Sequence, residues 1–199
     1  MAVDVKICGI RTRQHAELAA GLGAYAVGFV FDRMSPRYVG EPEWHPDWIS
    51  ALGCLKVGVH GIVYSHLPHK DFGVIQGVEW PNPPPEGRRV WRAYRLLPTT
   101  IPSDVLDAAV GADAVILDSY VPGRYGGTGH SADWGQAAEI VRELKGKIRV
   151  GLAGGLKPEN VAQAVETVTP DFVDVSSGVE SSPGQKDPEK IRAFFAAIK

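Results

Sequence analysis

Eight short runs rich in β-branched and apolar residues punctuate the chain, at Val3–Cys8, Tyr25–Val30, Leu55–His60, Phe72–Val78, Val90–Leu96, Ala114–Asp118, Arg149–Ala153 and Phe172–Ser176. Several are continuous rather than alternating, the pattern of strands covered on both faces. Between most of them the period changes to that of a helix. Val161, Ala164, Val165 and Val168 stand at i, i+3, i+4 and i+7, behind Pro158 in a first-turn position. Ala137, Ile140, Val141 and Leu144 repeat that spacing. So do Ile191, Phe194, Phe195 and Ile198, behind Asp187-Pro188 as cap and first turn. A further helix runs from about Thr12 to Leu22, and a weaker one follows Ser103-Asp104. Strand–helix alternation implies parallel strands joined by right-handed crossovers. The expected class is α/β: one (β/α)8 TIM-barrel domain spanning 1–199, with an open doubly wound sheet as the alternative.

Length sharpens this expectation. At 199 residues the chain sits near the ~200-residue floor for such a barrel, so helices must be missing somewhere. Trp80-Pro81-Asn82-Pro83-Pro84-Pro85-Glu86-Gly87 separates the fourth and fifth strands and is incompatible with a helix, because interior prolines lack the donor and clash. His66-Leu67-Pro68-His69-Lys70 is too short for more than a turn or two. The helix after the fourth strand is therefore expected to be absent or replaced by a proline-rich loop.

A net charge of −2 and a pI near 6.3 provide no basic field for phosphate backbones, which argues against nucleic acid as a partner. No apolar run approaches the ~20 residues that span a bilayer, and the N-terminus lacks the layout of a secretory signal. Cys8 and Cys54 are isolated, which disfavours a disulfide scaffold and points to the cytoplasm. His66 and His69 have metal-pair spacing but no third ligand placed with them, so no metal is expected.

In a barrel of this kind the active site lies at the C-terminal strand ends. There the first strand presents Cys8, the sixth Asp118, the seventh Gly154-Gly155 and the eighth Ser177-Gly178. Glycines after the last two strands allow backbone N–H groups to approach a phosphate, although the same residues also suit tight turns. Asp118 is either a structural hydrogen-bonder or a general acid tuned by partial burial. Cys8 is either a small buried hydrophobe or a base. Arg37, after Pro36, is either a solvated charge or a fork for a carboxylate or phosphate. His60 and His130 also end up at mouth positions.

At these residues the chain resembles the phosphoribosylanthranilate isomerase family. The resemblance rests on Lys6-Ile7-Cys8-Gly9-Ile10, on Ser35-Pro36-Arg37-Tyr38, and on Leu117-Asp118 with Gly126-Gly127-Thr128-Gly129 and Asp133-Trp134. It continues through Leu152 to Val161 and from Val173 to Glu180, closing with Pro183-Gly184-Gln185-Lys186-Asp187. Only Glu41 to Thr100 matches weakly. The resemblance implies the barrel and an Amadori rearrangement of N-(5'-phosphoribosyl)anthranilate in tryptophan biosynthesis, without metal or organic cofactor. It implies Cys8 as general base, Asp118 as general acid, and Arg37 facing the anthranilate carboxylate. Gly154, Gly155, Ser177 and Gly178 match its phosphate turns, and Gly127 is grouped with the substrate-binding residues. The implied partner is a small phosphoribosyl substrate, and the implied assembly a monomer or homodimer.

Two positions depart from the family pattern. Gln76 stands where a Gln-Leu-His-Gly block usually has its histidine, and His60 where an aromatic is usual. A related histidine-pathway isomerase would carry aspartate at position 8, and a binding protein without activity would not need Cys8 and Asp118.

Overall fold

The computed structural model describes residues 3–41, 43–61, 70–78, 87–119 and 134–198. Eight strands, β1 (Asp4–Cys8), β2 (Ala26–Val30), β3 (Leu55–Val59), β4 (Val74–Gly77), β5 (Arg89–Leu96), β6 (Ala114–Ser119), β7 (Arg149–Leu152) and β8 (Phe172–Val175), follow the apolar runs to within two residues at each end. They pair in chain order, all parallel, and β8 returns to β1 with Asp4 opposite Phe172 and Lys6 opposite Asp174. That last pairing closes the ring and excludes the open sheet.

Four helices lie between strands among the described residues, α1 (Arg13–Gly21), α2 (Pro102–Ala108), α3 (Trp134–Leu144) and α4 (Val161–Val168), and a fifth, α5 (Pro188–Ala197), follows the last strand of the ring. Local chemistry sets their ends. Thr12 Oγ1 accepts from the His15 amide at the start of α1. Asp187 accepts from the amides of Glu189 and Lys190, with Pro188 opening α5. The helical stripes turn inward as spaced: Ala137, Ile140, Val141 and Leu144 of α3 are all buried. Pro158 lies in the turn ahead of α4 rather than in the helix itself. That turn is tied by Asn160, which accepts from the Lys157 amide and donates to the Gly155 carbonyl.

Between β2 and β3 only a three-residue 3-10 turn, Asp47–Ile49, is helical among the described residues. Eleven residues separate β4 from β5, just under the dozen usual for a parallel crossover. The proline run expected to replace a helix there, 81–85, lies outside the described residues, as does His66–His69. A short antiparallel pair, β9 (Glu180–Ser182) and β10 (Gln185–Lys186), intervenes between β8 and α5.

Alternation sends Ile7, Val27, Phe29, Leu117 and Val173 outward against the helices, where they form the larger core. Inward-facing residues stack in layers. Ala26, Val74, Ala114 and Phe172 make the floor, with Val57 and Trp91 above them. A Cβ built on Gly151 would stand 2.4 Å from the Phe172 ring, so the missing side chain makes room for that ring. Trp91 packs on Phe172 at 5.0 Å, and Arg149 lies over Tyr25 while bonding Asp4 at 2.7 Å. The lower end is sealed. Higher up, the inner wall turns polar with Lys6, Gln76 and Asp174, all buried.

Candidate active site

Cys8 ends β1 and faces inward, two residues along the strand from Lys6. It is 9% exposed. Burial pushes its thiol above the ordinary range, and the Lys6 cation opposes that rise. Lys6 is wholly buried and donates to both oxygens of Asp174 on β8 at 2.8 Å. Burial disfavours its charge, yet Asp174 and Cys8 together leave its pKa raised. Gly9 follows Cys8 at φ +79°, and a Cβ there would come within 2.4 Å of Arg37 Cδ. Glycine thus lets the Arg37 side chain lie across the end of β1.

Arg37 is only 15% exposed in its side chain and is held by a fork. Its Nε and Nη2 donate to the two oxygens of Glu180 at 2.8 and 2.7 Å. Lys186 adds a third bond to the same carboxylate at 2.8 Å, and donates to the Ser176 carbonyl at 2.9 Å. The Ser176 hydroxyl in turn donates to the Cys8 carbonyl at 3.1 Å. Burial works against the Glu180 carboxylate, but Arg37 and Lys186 hold its pKa below the ordinary value. A continuous polar chain therefore links Arg37 to the backbone of Cys8.

Asp118 on β6 faces inward with Ala114 and Ile116, half-buried, and pairs in register with Arg95 of β5. It stands at the same end of the ring as Cys8. Beside them, Gly154 and Gly155 take φ of +90° and +67°, conformations that favour glycine. Gly178 has a different reason. A Cβ there would stand 1.8 Å from the Leu156 carbonyl oxygen, so the turns after β7 and β8 are pressed backbone to backbone. Ser177 opens the single 3-10 turn Ser177–Val179 at this contact.

The structure thus brings Cys8, Asp118, Arg37, Gly154, Gly155, Ser177 and Gly178 to one end of the barrel. Gly127 and His130 lie outside the described residues. His60 is placed differently from its expected mouth position. Strand parity turns it outward, stacked on Phe31 at 5.4 Å, with Nε2 buried and without a hydrogen-bond partner among the described residues. Gln76 does face inward, 7% exposed, with Oε1 lacking a partner among the described residues. Among the described residues no three His, Cys, Asp or Glu side chains are grouped as metal ligands. Four participants were missed from sequence: Lys6, Asp174, Glu180 and Lys186. For Lys6 a signal existed, since a lysine two residues before Cys8 on a buried strand must share its inward face.

The sequence profile of N-(5'phosphoribosyl)anthranilate (PRA) isomerase matches residues 78–197. The N-(5'-phosphoribosyl)anthranilate isomerase of Citrifermentans bemidjiense is 41% identical over 205 residues, covering 98% of this chain and 96% of the relative. This chain belongs to the phosphoribosylanthranilate isomerase family. The Thermus thermophilus phosphoribosyl anthranilate isomerase has the same architecture, with a TM-score of 0.76 and 31% identity over 98% of both chains. Another phosphoribosyl anthranilate isomerase structure, 28% identical with a TM-score of 0.71 over 98% of both chains, is a complex with reduced 1-(o-carboxyphenylamino)-1-deoxyribulose 5-phosphate. The divergent stretch before Thr100 leaves the isomerase barrel intact, as β2 to β5 keep their order and pairing.

Proposed function

We propose that Cys8 and Asp118 are the base and the acid with which this chain performs its family's reaction. That reaction is the Amadori rearrangement of N-(5'-phosphoribosyl)anthranilate to 1-(2-carboxyphenylamino)-1-deoxyribulose 5-phosphate in tryptophan biosynthesis. One observation carries the assignment: a thiol and a carboxyl face the same mouth from β1 and β6, beside two glycine turns in backbone contact.

Ring opening needs a proton on the furanose oxygen as its bond to C1 breaks, and Asp118 supplies it. The resulting Schiff base draws electrons, which acidifies the C2 proton. The Cys8 thiolate removes that proton, and the enolamine formed tautomerises to the ketone. Protons move while the overall oxidation state of the substrate is unchanged, so the rearrangement itself calls for no redox partner.

Binding is divided between two ends. Backbone N–H groups of the turns holding Gly154, Gly155, Ser177 and Gly178 take the phosphate, and Gly127 joins the substrate-binding residues. Arg37 takes the anthranilate carboxylate. Glu180 engages its Nε and Nη2, so the Nη1 edge is the one presented, and the fork holds the guanidinium in place before substrate arrives. The substrate is a small phosphorylated molecule and the compartment the cytoplasm. No helix among the described residues is long and apolar enough to cross a membrane.

Complementation of a tryptophan auxotroph lacking this step tests the reading. Wild type should restore growth, and Cys8→Ala and Asp118→Ala should not. Failure of soluble wild type to rescue overturns the activity, while rescue by Asp118→Ala removes that residue from its role.

A further inference from the structure

A barrel interior is ordinarily filled by branched aliphatic side chains. Here a lysine and an aspartate occupy it directly below Cys8. The pair is closed to solvent, with side-chain exposures of 0% and 7%, and the lysine reaches both carboxylate oxygens at 2.8 Å. Hydrophobic residues of similar volume would fill the space without the desolvation that two buried charges incur. Nothing in the binding of phosphate or carboxylate uses these groups.

Their position relative to the thiol is informative. A Cβ built on Gly28, the β2 residue opposite Cys8, would stand 3.0 Å from Cys8 Sγ and 3.2 Å from Lys6 Nζ. Both heads therefore share the space over Gly28, within about 6 Å of each other, where a charge acts strongly on a neighbouring ionisable group. We propose that Lys6, held by Asp174, is a positioning residue that supplies the fixed positive charge stabilising the Cys8 thiolate. Gly28 keeps open the space in which the two meet.

Other charges bear on the thiol. Asp174 itself opposes the thiolate from β8, and Lys186 supports it from β10. Lys186 is in turn countered by Glu180 of β9 and crowded by Arg37. Asp118 of β6 and Arg95 of β5 face the barrel from the far wall. β2 contributes only uncharged Gly28. Lys6 is the strongest favourable charge on the thiol, ahead of Lys186, and it outweighs the opposing Asp174. It also lies on the same strand, so its separation from Cys8 is set by backbone geometry.

The inference rests on Cys8 as the base, but its test reads the thiol directly. The pH dependence of iodoacetamide alkylation is measured in a Cys54→Ala background, where only Cys8 reports. Three proteins are compared: this background, Lys6→Met, and Lys6→Met with Asp174→Asn, which leaves no unpaired buried charge. The alkylation midpoint should rise by about one pH unit or more in Lys6→Met, roughly tenfold slower reaction at a fixed pH below it. It should rise less in the double variant, because the opposing aspartate charge has gone too. The limb of the kcat/KM profile that reports the base should move in the same order. A midpoint unchanged in the soluble, folded double variant overturns the proposal, since a purely structural pair would lower thermal stability alone. A shifted midpoint combined with full activity of Cys8→Ala would uphold the role of Lys6 toward the thiol while overturning Cys8 as the base.

Discussion

His60 shows what burial without a partner does to one side chain. Its ring stacks on Phe31 and its Nε2 meets no hydrogen-bond partner among the described residues, so burial pushes its pKa down to about 4, against a smaller opposing effect of Asp32. In the unfolded chain the same group titrates near the ordinary histidine value of about 6.5. Between those values the unfolded state binds more protons, and stability is lost as pH falls from about 6.5 towards 4. The loss amounts to at most about 3 kcal/mol at the acid end. His60→Phe should remove this component, and the difference in urea midpoint between pH 7 and pH 5 should be smaller in the variant than in wild type. At this scale the sequence was informative about residue type and less so about direction. The mouth positions of Cys8 and Asp118 were legible because each ends an apolar run. His60 ends one too, but a single step of strand parity puts it outside the ring. Lys6 and Asp174 went unread because a charge inside a strand acquires meaning only from the strand beside it, and that neighbour is 168 residues away.

Elements were the most legible level. All eight strands fall on the apolar runs, and the apolar stripes of α3, α4 and α5 fall on helices, since burial on a closed ring enforces both, whereas α2 begins at Pro102, ahead of the expected Ser103-Asp104. The β9–β10 pair was invisible: strands of three and two residues carry no period. It owes its place to a glycine. Gly184 has φ +81°, and a Cβ there would meet the Pro36 carbonyl oxygen at 2.4 Å, so the hairpin tip rests on the loop carrying Arg37. The contact between the β7 and β8 turns is tighter still. Gly178→Ala must move the backbone of Leu156 or of the 3-10 turn by more than an ångström, since both sides are main chain. We expect KM to rise roughly tenfold or more, with a smaller change in kcat, as phosphate binding is removed from ground and transition states alike. Steady-state kinetics alongside a thermal melt separates this from general unfolding; an unchanged KM would remove this contact from substrate binding.

On the scale of the whole molecule, the barrel divides into a sealed floor and a polar mouth. Phe172 fills the floor beside Gly151 and Trp91, two layers below the level of Cys8. Phe172→Ala should lower unfolding free energy by about 3–5 kcal/mol, the range for truncating a buried aromatic. It should leave kcat/KM within about threefold at 25 °C, because well-separated sites act independently. Denaturant titration and kinetics on the same preparation check both halves; a large loss of activity without loss of stability would contradict the division. The eleven-residue connection between β4 and β5 belongs to this scale as well, and the strands it joins pair within the closed ring. Closure has a further consequence, in time rather than space. β1 precedes β8 by more than 160 residues, and the two cannot pair until the chain between them has been synthesised. Until then Lys6 has no counter-ion, and the turns that would hold phosphate have no neighbour. A growing chain therefore acquires its stability in part before its chemistry. A barrel short of β8 lacks Asp174 and the turn that carries Ser177 and Gly178.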